Sequence, residues 1–283
     1  MDGIHRFRLG GFEVATILDG AARRDDLHPR FAVNADRESV QALAQECGLA
    51  FPEYEQVFVP SVIDTGAQIV VFDPGFGERA PSGEFGRFNA RLGGAGYAAD
   101  DVDLVVITHH HPDHIANLAT RAGTPAFLNA QVVLPRVDFD YWLRGEDIPD
   151  FRPSTLALFR EVCLPLAERA RFVEAEEEVA PGIAAVEAFG HSAGHMAYRV
   201  ESGGEALMVM GDVAAHFALS MRRPDWHFAM DDDKPAAAAS RRRVLGMVAD
   251  RGMLAAGFHM PFPSVGRVER DGDGFRWMPV RAE

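Results

Sequence analysis

Thr108-His109-His110-His111-Pro112-Asp113-His114 spells H-x-H-x-D-H directly after an apolar run, with His110 between the first two well-spaced donors. Titratable groups packed this densely at the end of a buried strand are costly unless a cation neutralises them. In an extended segment His109 and His111 point the same way, because side chains alternate with period two. The turn at Pro112 redirects Asp113 and His114, so one short segment can serve two ions. Imidazole and carboxylate suit zinc first, with manganese, iron or cobalt as alternatives, and no thiolate narrows the choice.

These donors need elements to carry them, and the apolar runs supply a pattern. Five runs end in residues of metal-ligand type: Ile69-Val70-Val71-Phe72 in Asp73, Leu104 to Thr108 in His109, and Ala184 to Phe189 in the loop with His191. Leu207 to Met210 leads to Asp212, and Leu254 to Phe258 to His259. Polar groups at several strand ends converge on one rim of a sheet, where αβ proteins place their sites. Strands are expected at about 12–18, 57–63, 68–72, 104–108, 184–189, 196–200, 206–210 and 253–257. Helices are expected at about 37–46 after an Asp36 cap, 84–92, 154–169, and 235–250 opened by Pro235. No linker or repeat interrupts the chain, which predicts one domain over 1–283.

The bulk composition narrows the function. A chain of 283 residues, 47% hydrophobic, can bury a large core, and its net charge of -14 disfavours nucleic acid and anionic membrane as partners. The basic run Arg241-Arg242-Arg243 fans around a helix and reads as solvated surface. The acidic runs Glu176-Glu177-Glu178 and Asp231-Asp232-Asp233 read as exposed turns. Cys47 and Cys163 lack metal or redox spacing, and charges interrupt the first 24 residues. A cytoplasmic setting is expected. Lys234 is the sole lysine, which leaves little room for Schiff-base chemistry.

The H-x-H-x-D-H segment, Asp73, Gly190-His191-Ser192-Ala193-Gly194-His195, Gly211-Asp212 and Phe258-His259 together resemble the metallo-β-lactamase superfamily, whose fold is a four-layer αββα sandwich. His259-Met260-Pro261-Phe262-Pro263, Gly274-Phe275-Arg276-Trp277-Met278-Pro279-Val280 and Asp140-Tyr141-Trp142-Leu143 are similar to its methyl parathion hydrolase-like branch. The resemblance spans roughly residues 55–280. It implies one ion on His109, His111 and His191, a second on Asp113, His114 and His259, and Asp212 between them. It places Asp73 and His195 behind the ligands, lines an apolar substrate pocket with Trp142, Phe159 and Ala215, and suggests a homodimer. Ser192-Ala193 departs from the usual Thr-Pro, and Ser264 stands where Gly often follows the final Pro, which touches substrate fit more than chemistry.

The reaction these residues suggest is hydrolysis by a hydroxide shared between two cations, since a cation lowers the pKa of its water towards neutrality. Asp113 is a candidate proton shuttle. Neutral hydrophobic esters fit such a site: lactones, aryl esters or organophosphate triesters. Two rivals compete. Gly190-His191-Ser192-Ala193-Gly194 also spells the G-x-S-x-G of serine esterases, although the segment after it reads as a strand where a nucleophile elbow needs a helix. Related folds hold one iron and oxidise persulfides, which would leave His114 and His259 spare. His110 reads as facing away from the donors, and His216 as packed more readily than bordering the pocket.

Overall fold

Apolar alternation along the strands builds the layers. In Ile69–Phe72, Val70 and Phe72 face one side and Val71 the other. Val70 and Phe72, with Leu104, Val106 and Val133, pack on Ala185, Met196, Tyr198, Val200, Leu207 and Val209 of a second sheet. Val71, Val105 and Leu134 turn outward onto Phe88, Leu92, Phe139, Trp142 and Phe159 of flanking helices. The second sheet turns Val186, Ala197, Met208 and Ala255 onto Val244, Leu245 and Val248 of the helix Lys234–Asp250. Helix, sheet, sheet and helix thus stack in four layers, as the resemblance implied.

The computed structural model describes residues 2–280. Among these, the first sheet has seven strands in the order Ile4–Leu9, Phe12–Ile17, Ser61–Asp64, Ile69–Phe72, Leu104–Val106, Gln131–Pro135, Arg171–Val173. The second orders Glu178–Ala180, Ile183–Glu187, Met196–Ser202, Glu205–Val209, Leu254–Ala256, Val265–Asp271 and Gly274–Pro279. Ile69–Phe72, Leu104–Val106 and Gln131–Pro135 run parallel, as do Glu205–Val209 and Leu254–Ala256, so their C-terminal ends share a rim. A hairpin, Gly20–Arg24 with Tyr54–Phe58, stands outside both sheets.

Several boundaries differ from the sequence expectations, each for a local reason. The strand expected at 57–63 is two, Tyr54–Phe58 and Ser61–Asp64, because Pro60 between them has no N–H to give a ladder. The helix expected at 84–92 starts only at Phe88, after Asp19 has captured the N–H groups of Gly86 and Phe88. The one expected at 154–169 stops at Val162 and tightens into Leu164–Leu166 around Pro165. Asp36 does cap Arg37–Glu46, accepting from Ser39 N at 2.7 Å. The amphipathic helix Arg136–Arg144 and the strands at 4–9, 20–24, 131–135 and 265–279 were not anticipated.

Asp19 is fully buried, and its carboxylate takes three backbone N–H groups: Phe76 at 3.3 Å, Gly86 at 3.1 Å and Phe88 at 2.9 Å. One side chain therefore anchors the loop that leaves Asp73 and carries Phe76. Asp19→Ala would strand those donors, and we expect a loss on the order of 3 kcal/mol in urea unfolding, with the m-value unchanged.

Candidate metal centre

The H-x-H-x-D-H segment leaves the strand Leu104–Val106 extended and enters a one-turn helix at Pro112, so its donors divide as the spacing predicted. His109 Nε2 lies 2.8 Å from His111 Nδ1, which lies 3.0 Å from His191 Nε2. The partners of the other ring nitrogens decide who carries protons. His109 Nδ1 is 3.0 Å from Thr108 Oγ1, whose hydroxyl donates to Asp73 Oδ2 at 2.8 Å. His191 Nδ1 donates to Asp231 Oδ1 at 2.8 Å. His109 Nε2 is then a bare lone pair, His191 Nε2 becomes one when His191 gives up its second proton, and His111 Nδ1 can donate to only one of them. A cation at their common point satisfies all three, so this donor set fits a metal ion.

Asp113, His114, Asp212 and His259 form a second group, its ligand atoms within 4.8 Å of one another. His259 Nδ1 donates to Val57 O at 2.8 Å, which aims Nε2 at Asp212 Oδ2, 3.2 Å away, and at Asp113 Oδ2, 3.4 Å away. His114 Nε2 sits 3.4 Å from both Asp113 Oδ2 and Asp212 Oδ1. His114 Nε2 and Asp212 Oδ1 are buried without a hydrogen-bond partner, an arrangement that native interiors avoid unless something else binds there. Asp212 Oδ2 is also 3.1 Å from His191 Nε2, so this carboxylate borders both groups.

Two glycines let the loops approach this closely. Gly211 has φ +51°, and a Cβ there would stand 2.6 Å from His195 Nε2. Gly190 has φ +122°, and its Cβ would meet the backbone N of Ala237 at 2.1 Å, where Lys234–Asp250 packs on the His191 loop.

With fold and centre in place, residues 60–259 match the metallo-β-lactamase superfamily, and the chain belongs to that superfamily. AidC, a dizinc quorum-quenching lactonase solved with a product, superposes with a TM-score of 0.90 at 23% identity, over 99% of this chain and 98% of its own. AbOPH, a hydrolase of the β-lactamase superfamily, gives 0.91 at 21% identity over 99% and 98%. An N-acyl homoserine lactonase of Bacillus thuringiensis is 27% identical over 107 residues, 38% of this chain. The match spans 36% of the length of that relative.

The supporting residues meet expectation in part. Asp73, held at φ +49°, accepts from Thr108 N at 2.8 Å and stands 2.9 Å from His114 Nδ1, within ion-pair distance though out of line for a hydrogen bond. His195 donates from Nδ1 to Ala188 O and accepts Asp212 N on Nε2, which positions the bordering carboxylate. Ser192 is fully buried and its hydroxyl donates to Asp138 and not to a histidine, which argues against the serine-esterase reading. His216 is buried against Phe31 and accepts Ala218 N and Leu219 N, a packing role.

The apolar pocket expected from the resemblance needs correction. The cavity over the centre, about 340 Å³, is lined by Phe58, Phe76, Phe151, Phe228 and Met230, but also by Arg24, Arg30, Gln56 and Arg152. Trp142 and Phe159 are fully buried and do not line it; Trp142 packs behind His111 and points Nε1 at Ser192. Ala215 lies outside the lining too, in the cluster with Phe31 and Phe228. The large side chains of Trp142 and Phe159 serve the core behind the donors.

Four supporting residues escaped the sequence reading. Asp231, expected in an exposed turn, is fully buried between His191 and Arg241, whose Nη2 donates to its Oδ2 at 3.0 Å. Arg241, expected on a solvated surface, is itself 1% exposed and also donates to the carbonyls of Val213, Pro224 and Trp226. Asp138 accepts His110 N at 2.9 Å, His110 Nδ1 at 2.8 Å and Gly194 N at 2.8 Å, binding the two histidine loops together. Arg152 bridges Asp232 beside His111. A carboxylate on the apolar face of Arg136–Arg144, one turn before Trp142, is a signal that could have flagged Asp138.

Charge is distributed unevenly over the donors. Burial first, then neighbouring histidines for His109 and the Arg152 charge for His111, hold both well below the usual range for histidine. Burial opposes charge on His191 and His259 as well, but Asp212 with Asp231 lifts His191 to about 9, and Asp212 with Asp113 lifts His259 to about 10. Metal loading must displace those protons. Apparent zinc affinity should therefore rise between pH 6 and pH 8, below both raised values, in chelator-competition titrations. Asp231→Asn keeps an acceptor for His191 or for Arg241 but not both, and we expect it to weaken zinc binding roughly 10–100-fold in the same titration.

Proposed function

We propose that the protein is a dinuclear-metal hydrolase that cleaves an ester bond in a partly hydrophobic small molecule, a lactone or aryl ester first and an organophosphate triester as the alternative. The observation that carries this is the placement of Asp212 between two complete donor groups, 3.1 Å from His191 and 3.2 Å from His259. His109, His111 and His191 would hold one ion, and Asp113, His114 and His259 the other, with Asp212 shared. Zinc is the expected metal. Two such cations would supply water of lowered pKa and an electrophile for the ester oxygen. The named lactonase and hydrolase relatives support the same reading.

The chain's own residues supply the rest. Asp231, Thr108 and the Val57 carbonyl fix which ring nitrogens of His191, His109 and His259 face the centre. Asp113 is the donor side chain with the most solvent access, 17%, and lines the cavity, which supports a shuttle role in which it takes a proton from the attacking water and passes it to the departing oxygen. Phe58, Phe76, Phe151 and Phe228 give the apolar part of the substrate a wall and exclude water from one side. A one-iron oxygenase would leave His114 and His259 of the second group without purpose.

Elemental analysis of the purified protein should count two divalent ions per chain. Chelation should abolish hydrolysis of a lactone and a 4-nitrophenyl ester, and zinc should restore it. A single iron with no esterase activity would overturn the proposal.

A further inference from the structure

Three cationic side chains line the same cavity and have no role in holding metal. The acidic residues in its wall, Asp113 and Asp212, both belong to the donor groups; every other charged lining residue is an arginine, Arg24, Arg30 or Arg152. The chain as a whole carries 42 acidic residues against 28 basic ones, so the cavity inverts the sign of its surroundings. An arginine kept at a site despite that composition points to something negative that it meets.

Arg152 carries the argument furthest. It is 5% exposed, opens the helix Pro153–Val162 from its cap position, and borders the cavity beside His111 and His191. Its Nε donates to Asp232 Oδ1 at 3.1 Å and its Nη2 to Met230 O at 2.5 Å. Those two bonds fix the plane of the guanidinium and leave Nη1 without an acceptor among the described residues. Arg30 is clamped in turn by Asp26, at 2.8 Å from Nε. Arg24, exposed at the end of the outer hairpin, has only the uncharged Gln56 as a partner, at 3.3 Å. With Asp113 and Asp212 committed to the donor groups, three guanidiniums outnumber the two carboxylates, Asp26 and Asp232, that pair with them.

Given the hydrolase reading on which this rests, we infer that the ester taken by this site carries a second, anionic group, a carboxylate, which Arg152 receives with Arg24 and Arg30 adding their field. The apolar part of the same molecule lies on Phe58, Phe76, Phe151 and Phe228. A planar guanidinium and a carboxylate match in geometry, and a partly buried pair is screened little by salt. The substrate class is therefore an ester or lactone of a molecule that keeps a free carboxylate after one acyl bond has been masked. Fully neutral triesters use the metals but not the arginines.

Product analogues test this without requiring that the natural ester be known. In zinc-loaded protein, butyrate offers one carboxylate to the metals, whereas the dicarboxylates from malonate to adipate offer a second at graded distance. Isothermal titration should show at least one dicarboxylate binding about tenfold or more tighter than butyrate. Arg24→Gln should cut that ratio several-fold while butyrate affinity stays within about twofold, and Arg152→Gln, loaded with zinc, should cut the ratio at least as far. Should Arg152→Gln fail to fold, the exposed Arg24→Gln decides. A ratio near one for every dicarboxylate, or a ratio that both folded variants leave untouched, overturns the inference. The two readings fail separately: a chain that cannot hold two metals sinks the hydrolase, whereas a loaded, ester-cleaving chain with no dicarboxylate preference sinks only the carboxylate subsite.

Discussion

Donors that face one another in a dry interior must either hold protons or repel, and the centre exists only because something behind each donor forbids it from turning away. His191 is pinned by Asp231, His259 by the Val57 carbonyl, His109 by Thr108 and through it by Asp73. Each of these bonds removes the rotation or tautomer change that would relieve the repulsion. The free energy left unrelieved is what a cation recovers on binding. In this sense the carboxylates and carbonyls behind the histidines determine metal affinity as much as the histidines do.

The fold's contribution is to bring loops from two sheets to one rim and keep them in register. His109 to His114 follow a strand of the first sheet, while His191, Asp212 and His259 follow strands of the second. Asp138, on a helix outside both sheets, bonds His110 N and Gly194 N with the two oxygens of one carboxylate. Because that carboxylate is fully buried, neither loop can shift without stranding a charge in the core. His110, which ligates nothing, earns its place through this contact.

How much of this was legible follows from how local each signal is. The H-x-H-x-D-H segment and the Asp and His at strand ends announce themselves because their spacing, read against a period of two, already separates the two donor groups. Asp231 and Arg241 do not, since a charged residue in an Asp run or an Arg run looks solvated until the fold brings partners against it, His191 forty residues before Asp231 and Asp231 itself ten before Arg241. Trp142 misled in the opposite direction: a large aromatic near the donors suggests a pocket wall, yet its ring faces the core behind His111. The division at Pro60 was readable, because a proline without an N–H cannot continue a ladder, but the hydrophobicity on either side masked it.

The metal donors and one side of the cavity mouth lie in different parts of the chain. All seven donors fall within the stretch that matches the superfamily, residues 60–259. Arg24, Arg30, Gln56 and Phe58, which form one side of the cavity mouth, precede it, on or beside the outer hairpin that joins neither main sheet. The hairpin's backbone still serves the centre, since the Val57 carbonyl holds His259 and Phe58 packs on that ring, whereas the side chains of Arg24 and Gln56 bond each other and touch no donor. On the proposed reading the donors fix how a bond is broken, and Arg24, Arg30 and Arg152 fix which molecule presents that bond. Likeness to known hydrolases therefore carries the chemistry across readily and the substrate poorly, and the arginines are where this chain's own preference is written.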